Sequence, residues 1–508
     1  MTKPLSRQTL PLTATLSRIR WALWLPLVAF LLYGWLLMHY SAAYAAGSDS
    51  SGYLNNARML DHGSLTASMR QVEGLNPDTV SSFAYVPLGF IPKADRVSMV
   101  PTYPMGLPLL LLAVAHLVGW NLAPSVCIVL HSLLGLWLLY LLGRELGLEP
   151  GWAWLAAMLL AASPLYILMS LQLMSDVPAL TWVTAAVLCA WKSRERPWLA
   201  FLAGAVVSLA VLDRPTNLLA LVPVGIATGA DMRRWLLLIA GGIPGAIFLG
   251  MVNQTAYGHV FTTGYGGVGG LFLLSNGPVT LLHYAKWLPA LFTPLIVLCL
   301  GLPVFWRSQR LVVALLTAWS AIFLGFYLFY SCTHETWWYL RFILPAIPPL
   351  LLGALIVARR VLATRRKLPP PGWWLVLAAL PVFVFGLFWF RHFGLRDVNS
   401  GERTYIEGAA WMEAHLPANA VVLSMQTSGS IFYYTRFAVV RWDSISPVEF
   451  ERIAAACAAA GRPLYASLYS FEISEQGAFR KHLTGHWTRI GSVGDTSIWH
   501  YDSAGAVP

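Results

Sequence analysis

Charge is what this 508-residue chain has least of: Asp, Glu, Lys and Arg make up 11% of it, against about a quarter of an ordinary soluble domain. Hydrophobic residues make up 57%. A water-soluble core can hide one or two apolar helices, but apolar runs of roughly bilayer-spanning length recur here from Trp21 to Phe390, which excludes a soluble globular class. Cysteine is scarce too. Cys127, Cys189, Cys299, Cys332 and Cys457 show no CxxC or other metal spacing, and three lie inside apolar runs, so neither a disulfide framework nor a zinc-thiolate site is supported. There is no basic stripe of the kind nucleic acid requires. The net charge of +11 comes from short clusters between apolar segments, the pattern of membrane orientation. Nor does a P-loop lysine accompany the glycine cluster Gly264–Gly270, and no nucleotide cofactor is expected.

What is present is a polytopic pattern. We expect about eleven transmembrane helices, near residues 21–41, 121–143, 152–171, 177–192, 198–212, 216–231, 235–252, 290–306, 311–330, 340–358 and 373–390. The first is read as retained rather than cleaved, because its apolar run exceeds that of a signal peptide. Alternation then puts residues 1–20, Arg144, Lys192, Arg194, Arg196, Arg233, Arg234, Arg307, Arg310 and the cluster Arg359–Lys367 on one side. The sparser Arg58, Arg70, Lys93, Arg96, Arg214, Lys286 and Arg341 fall on the other. By the positive-inside rule the first side is cytoplasmic, which makes 42–120 a long outer loop. Tyr103–Val118, short and proline-bearing, is read as an interfacial helix within that loop. After Arg391 the apolar runs shorten to strand length, at Ala420–Met425, Phe437–Arg441, Pro463–Leu468 and Thr496–Tyr501. They alternate with helical patterns around Thr404–His415, Pro447–Ala460 and Ser474–His482. The expected fold class is therefore an α-helical polytopic membrane protein: residues 1–20 cytoplasmic, 21–390 transmembrane, and 391–508 a small extracytoplasmic α/β domain.

Acids at the ends of apolar runs are costly unless they pair, reach water or do chemistry. Asp49, in GSDSSGYLNNARML, and Asp176, in LQLMSDVPAL, both reach the outer surface in this threading. Two carboxylates on one cavity supply a general base for an acceptor hydroxyl or amine and ligands for a divalent cation. The plainer reading makes each a helix cap, Asp176 lying just ahead of Pro178. Arg341 is the outer arginine deepest in apolar sequence, a candidate for a phosphate-bearing substrate or a residue that snorkels to the headgroups. Lys93, Arg96 and Tyr103 are further donor-binding candidates. His334 and Glu335 join Asp49 and Asp176 as a candidate divalent-metal set.

In order, SDSSGYLNNARMLDHG (48–63), PTYPMGLPLL (101–110), LYLLGRELG (139–147), MSDVPAL (174–180), LAVLDRPTNLLALVP (209–223), NQTAYGHVFTTGYG (253–266) and YLRFILPAIPPLL (339–351) carry a resemblance. The chain resembles the GT-C superfamily of membrane glycosyltransferases, in the branch of the protein O-mannosyltransferases and the lipid A aminoarabinose transferase. That resemblance implies a hexosyl- or pentosyltransferase using a polyprenyl-phosphate sugar, with a lipid, polysaccharide or protein acceptor on the outer face of the plasma (bacterial inner) membrane. It places the family's first-loop acid on Asp49, its second-loop acid on Asp176 and its carrier-facing arginine on Arg341. The first loop departs from the mannosyltransferases in having Ser50 where they carry a second acid, and no β-trefoil insertion is present. The competing class is a transporter or flippase of lipid-linked sugars; the chain shows no repeated halves, and its candidate charges gather at one face.

Overall fold

A computed structural model gives the structure of residues 27–365, 373–474 and 477–502, so the expected cytoplasmic segment 1–20 and the start of the first span lie outside the described residues. α1 (Leu27–His39) leads into α2 (Gly47–Asp61). A three-stranded antiparallel sheet follows, β1 (Ala67–Ser68), β2 (Phe90–Pro92) and β3 (Ser98–Pro101), in the order β1-β3-β2. Next comes α3 (Gly106–Val118), whose 13 residues make about 20 Å of helix, too short for a roughly 30 Å hydrocarbon core.

The apolar part continues through α4 (Ala123–Glu145), α5 (Pro150–Ala161), α6 (Pro164–Leu171), α7 (Asp176–Lys192), α8 (Leu199–Asp213), α9 (Leu221–Thr228), α10 (Met232–Tyr257), α11 (Asn276–Phe292), α12 (Arg310–Tyr327), α13 (Ile347–Arg365) and α14 (Trp373–His392). Their ends follow local chemistry. Pro124, Pro150 and Pro164 sit in the first turns of α4, α5 and α6, where a missing N–H is harmless. Asp231 caps α10 by accepting from the N–H groups of Arg233 and Arg234, and Gly258, at φ +79°, closes it. Side by side, α8 and α10 touch backbone to backbone: a Cβ on Gly204 would run into the Leu238 carbonyl, and one on Gly241 into the Phe201 carbonyl.

Four of the described helices are long and apolar enough to cross a bilayer unaided: α4, α10, α12 and the continuous segment Trp337–Ala363. Three bent pairs raise that to as many as seven. Reaching the expected eleven takes α7, α8 and Pro215–Thr228 as well, each shorter than a full crossing, and α1, which starts at the first described residue. Two expected spans differ in form. Residues 152–171 form α5 and α6, bent by 64° where Ser163 starts a new helix, and the span expected at 290–306 is a 3-10 segment, Pro294–Phe305, set at 111° to α11.

α15 (Val398–His415), β4 (Val421–Leu423), α16 (Ser428–Tyr434), β5 (Ala438–Val440), α17 (Pro447–Ala459), β6 (Leu464–Tyr469), α18 (Ala478–Lys481), β7 (Trp487–Val493) and β8 (Thr496–Tyr501) form the C-terminal head. Its sheet runs β5-β4-β6-β8-β7, with β4 parallel to β5 and β6, and β8 antiparallel to β6 and β7. The sequence pattern missed β7, a largely exposed edge strand with a bulge, and α16, which is only seven residues long.

The boundary expected at residue 391 does not describe the head fully. Val72, Val80, Ala84 and Tyr85 of the first loop share one hydrophobic core with Val421, Leu423, Val440, Trp442 and Phe450. Hydrogen bonds seal the joint: Arg441 N–H to the Ala84 carbonyl at 2.8 Å, and Arg452 to the Thr79 carbonyl at 2.8 Å. A loop and a domain that share a core lie on the same side of a membrane. The chain between them therefore crosses an even number of times, as the threading has it.

Candidate functional site

Where the head meets the apolar helices, four charged residues from four parts of the chain come together. Asp49 stands in the first turn of α2 and Asp176 in the first turn of α7. Arg214 ends α8 at the break before Pro215, and Arg341 lies in the 3-10 segment Trp337–Ala346. Asp49 Oδ2 accepts from Arg341 Nη2 at 2.7 Å, and Asp49 Oδ1 accepts from the Tyr103 hydroxyl at 2.6 Å. Asp176 Oδ1 takes an Nη1 hydrogen bond from Arg214, while Asp176 Oδ2 is 4.0 Å from Arg341 Nη1. The result is a row of alternating charge, Arg214, Asp176, Arg341, Asp49. Ala46 and Ser175, not the two acids, hold the N-cap positions of α2 and α7, and both carboxylates are engaged by guanidinium groups, so the plainer reading of both gives way to ion pairing.

Aromatic and hydroxyl groups wall the row. Phe342 lies 5.2 Å from each guanidinium and stacks on Tyr327, whose hydroxyl donates to Thr216 at 2.8 Å. The Tyr53 hydroxyl donates to Ser175 at 2.9 Å, just before Asp176. From the loop after α10, Tyr265 meets Tyr103 edge-on at 6.1 Å. Burial works against the ionised form of Asp49. The Arg341 charge, hydrogen bonds from Tyr103 and Arg341, and the Arg214 charge outweigh it and hold the carboxyl below its ordinary value. Burial and the Asp49 carboxylate push Tyr103 well above the usual phenol range, so its hydroxyl stays a donor. One donor is unspent: Arg341 Nε is buried and has no hydrogen-bond partner among the described residues.

Of the residues singled out from sequence, the structure brings Asp49, Asp176, Arg341 and Tyr103 together. Lys93 and Arg96 lie at the far end of the β2–β3 hairpin, the end away from Pro101 and Tyr103. The Arg96 guanidinium donates to the Pro77 and Val80 carbonyls, at 2.9 and 3.0 Å, and ties down the first loop. The four-residue metal set does not form. His334 shares a 3.0 Å hydrogen bond with Thr280, and among the described residues no group of three or more His, Cys, Asp or Glu could hold a metal ion. The two acids that remain are each matched by a guanidinium, a donor set that does not fit a divalent cation. Arg214 is the residue that sequence reasoning passed over as a site member. Its signal was a charge at a proline-marked break in an apolar run.

Comparison with known proteins gives the class. Over 95% of its length the chain superposes on the crystal structure of ArnT from Cupriavidus metallidurans bound to undecaprenyl phosphate, covering 99% of that chain with a TM-score of 0.59 at 11% identity. The Archaeoglobus fulgidus oligosaccharyltransferase, tethered to an acceptor peptide, matches over 87% of this chain and 69% of its own (TM-score 0.50, 12% identity). The mycobacterial arabinofuranosyltransferase AftD matches over 94% and 40% (TM-score 0.50, 14% identity). This chain is a membrane protein with the GT-C glycosyltransferase fold, as the ordered sequence segments anticipated. Within that class, residues 125–250 match the family of dolichyl-phosphate-mannose-protein mannosyltransferases, a stretch that runs from α4 into α10 and includes Asp176 and Arg214. No curated protein sequence matches the chain.

Proposed function

We propose that this protein is a glycosyltransferase that moves a sugar from a polyprenyl-phosphate carrier to a lipid, polysaccharide or protein acceptor on the outer face of the plasma (bacterial inner) membrane. The observation that carries the reading is the buried row Arg214, Asp176, Arg341, Asp49, with an unspent Arg341 donor, where apolar helices meet the head. A prenyl chain dissolves between helices, while its charged head needs cations at the rim. In transfer, an acceptor oxygen or nitrogen bonds to the anomeric carbon as the bond from that carbon to the phosphate oxygen breaks. The bonding electron pair leaves with the polyprenyl phosphate. Arg341 and Arg214 stabilise the charge that gathers there, the unspent Nε of Arg341 being free for a phosphate oxygen. Asp176 holds Arg214 in place. Asp49, kept ionised by Arg341, is the carboxylate that takes the acceptor's proton as the new bond completes. The undecaprenyl phosphate in the ArnT crystal structure and the acceptor peptide on the archaeal oligosaccharyltransferase support a polyprenyl-phosphate carrier and a separate acceptor as the substrates of this fold.

Lipid extracts of a strain lacking the protein test the proposal. They should accumulate a polyprenyl-phosphate sugar and lack one envelope glycan. Purified protein in detergent should also form the covalent product, which a flippase does not. An unchanged carrier pool together with intact glycans would sink the proposal.

A further inference from the structure

The C-terminal head does more than cover the site. α2, the helix that carries Asp49, is held on two faces. On one, Gly52 lies so close to Tyr103 and Gly89 that a Cβ would come within 2.6 Å of Tyr103 Cε2 and 3.0 Å of Gly89 Cα. On the other it meets α16 of the head. Asn55 Nδ2 donates to the Gly429 carbonyl at 3.0 Å, and Ser428 Oγ accepts from the Leu88 N–H at 3.0 Å. A Cβ on Gly429 would lie 2.7 Å from the Leu88 carbonyl oxygen and collide with Ser51 Oγ. Ser51 is two residues from Asp49, and its hydroxyl donates to the Gly47 carbonyl, at the positive-φ residue that opens α2. The far end of α16 is anchored as well. The Tyr434 hydroxyl accepts from the Ala45 N–H at 3.0 Å, and Arg70 donates to the carbonyls of Phe432, Thr435 and Phe437.

We propose that α16 is a positioning element for Asp49, with Gly429 its positioning residue: the bare backbone there sets how closely α2 seats against the head, and so where Asp49 meets Arg341. The inference rests on the transferase reading for its kinetic test, but its physical test is independent. An added methyl has only backbone and Ser51 to move against, and sub-ångström misplacement of a reacting group costs rate steeply. Gly429→Ala should lower turnover by about 10-fold or more, with the KM for the polyprenyl-phosphate sugar changed less than about twofold, since the arginines are not on α2. Ser51→Gly in the same chain removes the colliding hydroxymethyl and should recover part of that loss. Gly408→Ala is the control in the same head, because a Cβ there meets nothing within 4 Å.

Hydrogen exchange of the α2 amides should quicken in Gly429→Ala while that of α4 and α10 is unchanged, whether or not transfer is being measured. If Gly429→Ala does not fold, Asn55→Ser, which cannot reach the Gly429 carbonyl, should show the same exchange signature. Wild-type exchange across α2 in both variants would overturn the proposal, as would a turnover loss in Gly429→Ala that Ser51→Gly leaves untouched. A wild-type protein without transfer activity but with the predicted exchange pattern would count against the transferase reading alone.

Discussion

Arg214 and Arg341 each face a carboxylate in surroundings that admit little water: the Asp176 side chain is 3% exposed and the two arginine side chains 14%. A buried charge that loses its partner is destabilised by roughly 3–5 kcal/mol, so truncating either arginine confounds folding with chemistry. Lysine keeps the charge and discards the planar fork. Arg341→Lys and Arg214→Lys should therefore stay folded in detergent while turnover at saturating polyprenyl-phosphate sugar falls by on the order of 10- to 100-fold. A snorkelling anchor would tolerate lysine, and an undiminished rate in Arg341→Lys would remove that residue from the site. Asp49, Asp176 and Arg341 were legible in the sequence because a charge beside a long apolar run needs an explanation. Lys93 and Arg96 looked equivalent by that criterion, and only the hairpin geometry and the carbonyls around Arg96 separate them from the row.

Among the helices, the crossing of α8 and α10 is the contact most sensitive to a single substitution. Gly204 and Gly241 let each backbone rest on a carbonyl of the other helix, and in lipid such close van der Waals approach replaces the hydrophobic drive available in water. Gly204→Val should destabilise the protein by about 3 kcal/mol, read as a lowered thermal midpoint in detergent. Because α8 ends at Asp213, next to Arg214, the same variant should lose activity before it unfolds. Most helices could be placed from their apolar runs, but the 64° and 111° bends could not. A run of apolar residues reports length and burial, whereas direction comes from what the helix packs against. α16 was invisible for another reason: seven residues give no helical periodicity to read, and its partner Asn55 lies 374 residues from Gly429.

At the scale of the molecule, the shared core of first loop and C-terminal head ties the two ends of the apolar region to one side of the membrane. Together with the basic clusters, this leads us to propose that the head lies outside and the end of α13 in the cytoplasm. With Cys332 replaced by Ser, an impermeant thiol reagent added to intact cells should label a cysteine at the exposed Ser492 and leave one at Ala363 untouched. The reverse pattern would refute the orientation. The core also predicts that the head does not fold without the first loop, whose Val72, Val80, Ala84 and Tyr85 fill its interior.

The sequence by itself determined that the chain is a polytopic membrane protein, roughly where its helices run, and which acids stand beside apolar runs. Those properties are local, set by the cost of placing charge beside lipid and by the length of apolar runs. The pairing of Arg214 with Asp176 and of Arg341 with Asp49, the loss of His334 and Glu335 from any metal set, and the seating of α2 against α16 were decided only by tertiary structure. Each joins residues far apart in the chain, Asp49 and Arg341 by 292 positions, and which charge meets which is fixed by how helices cross.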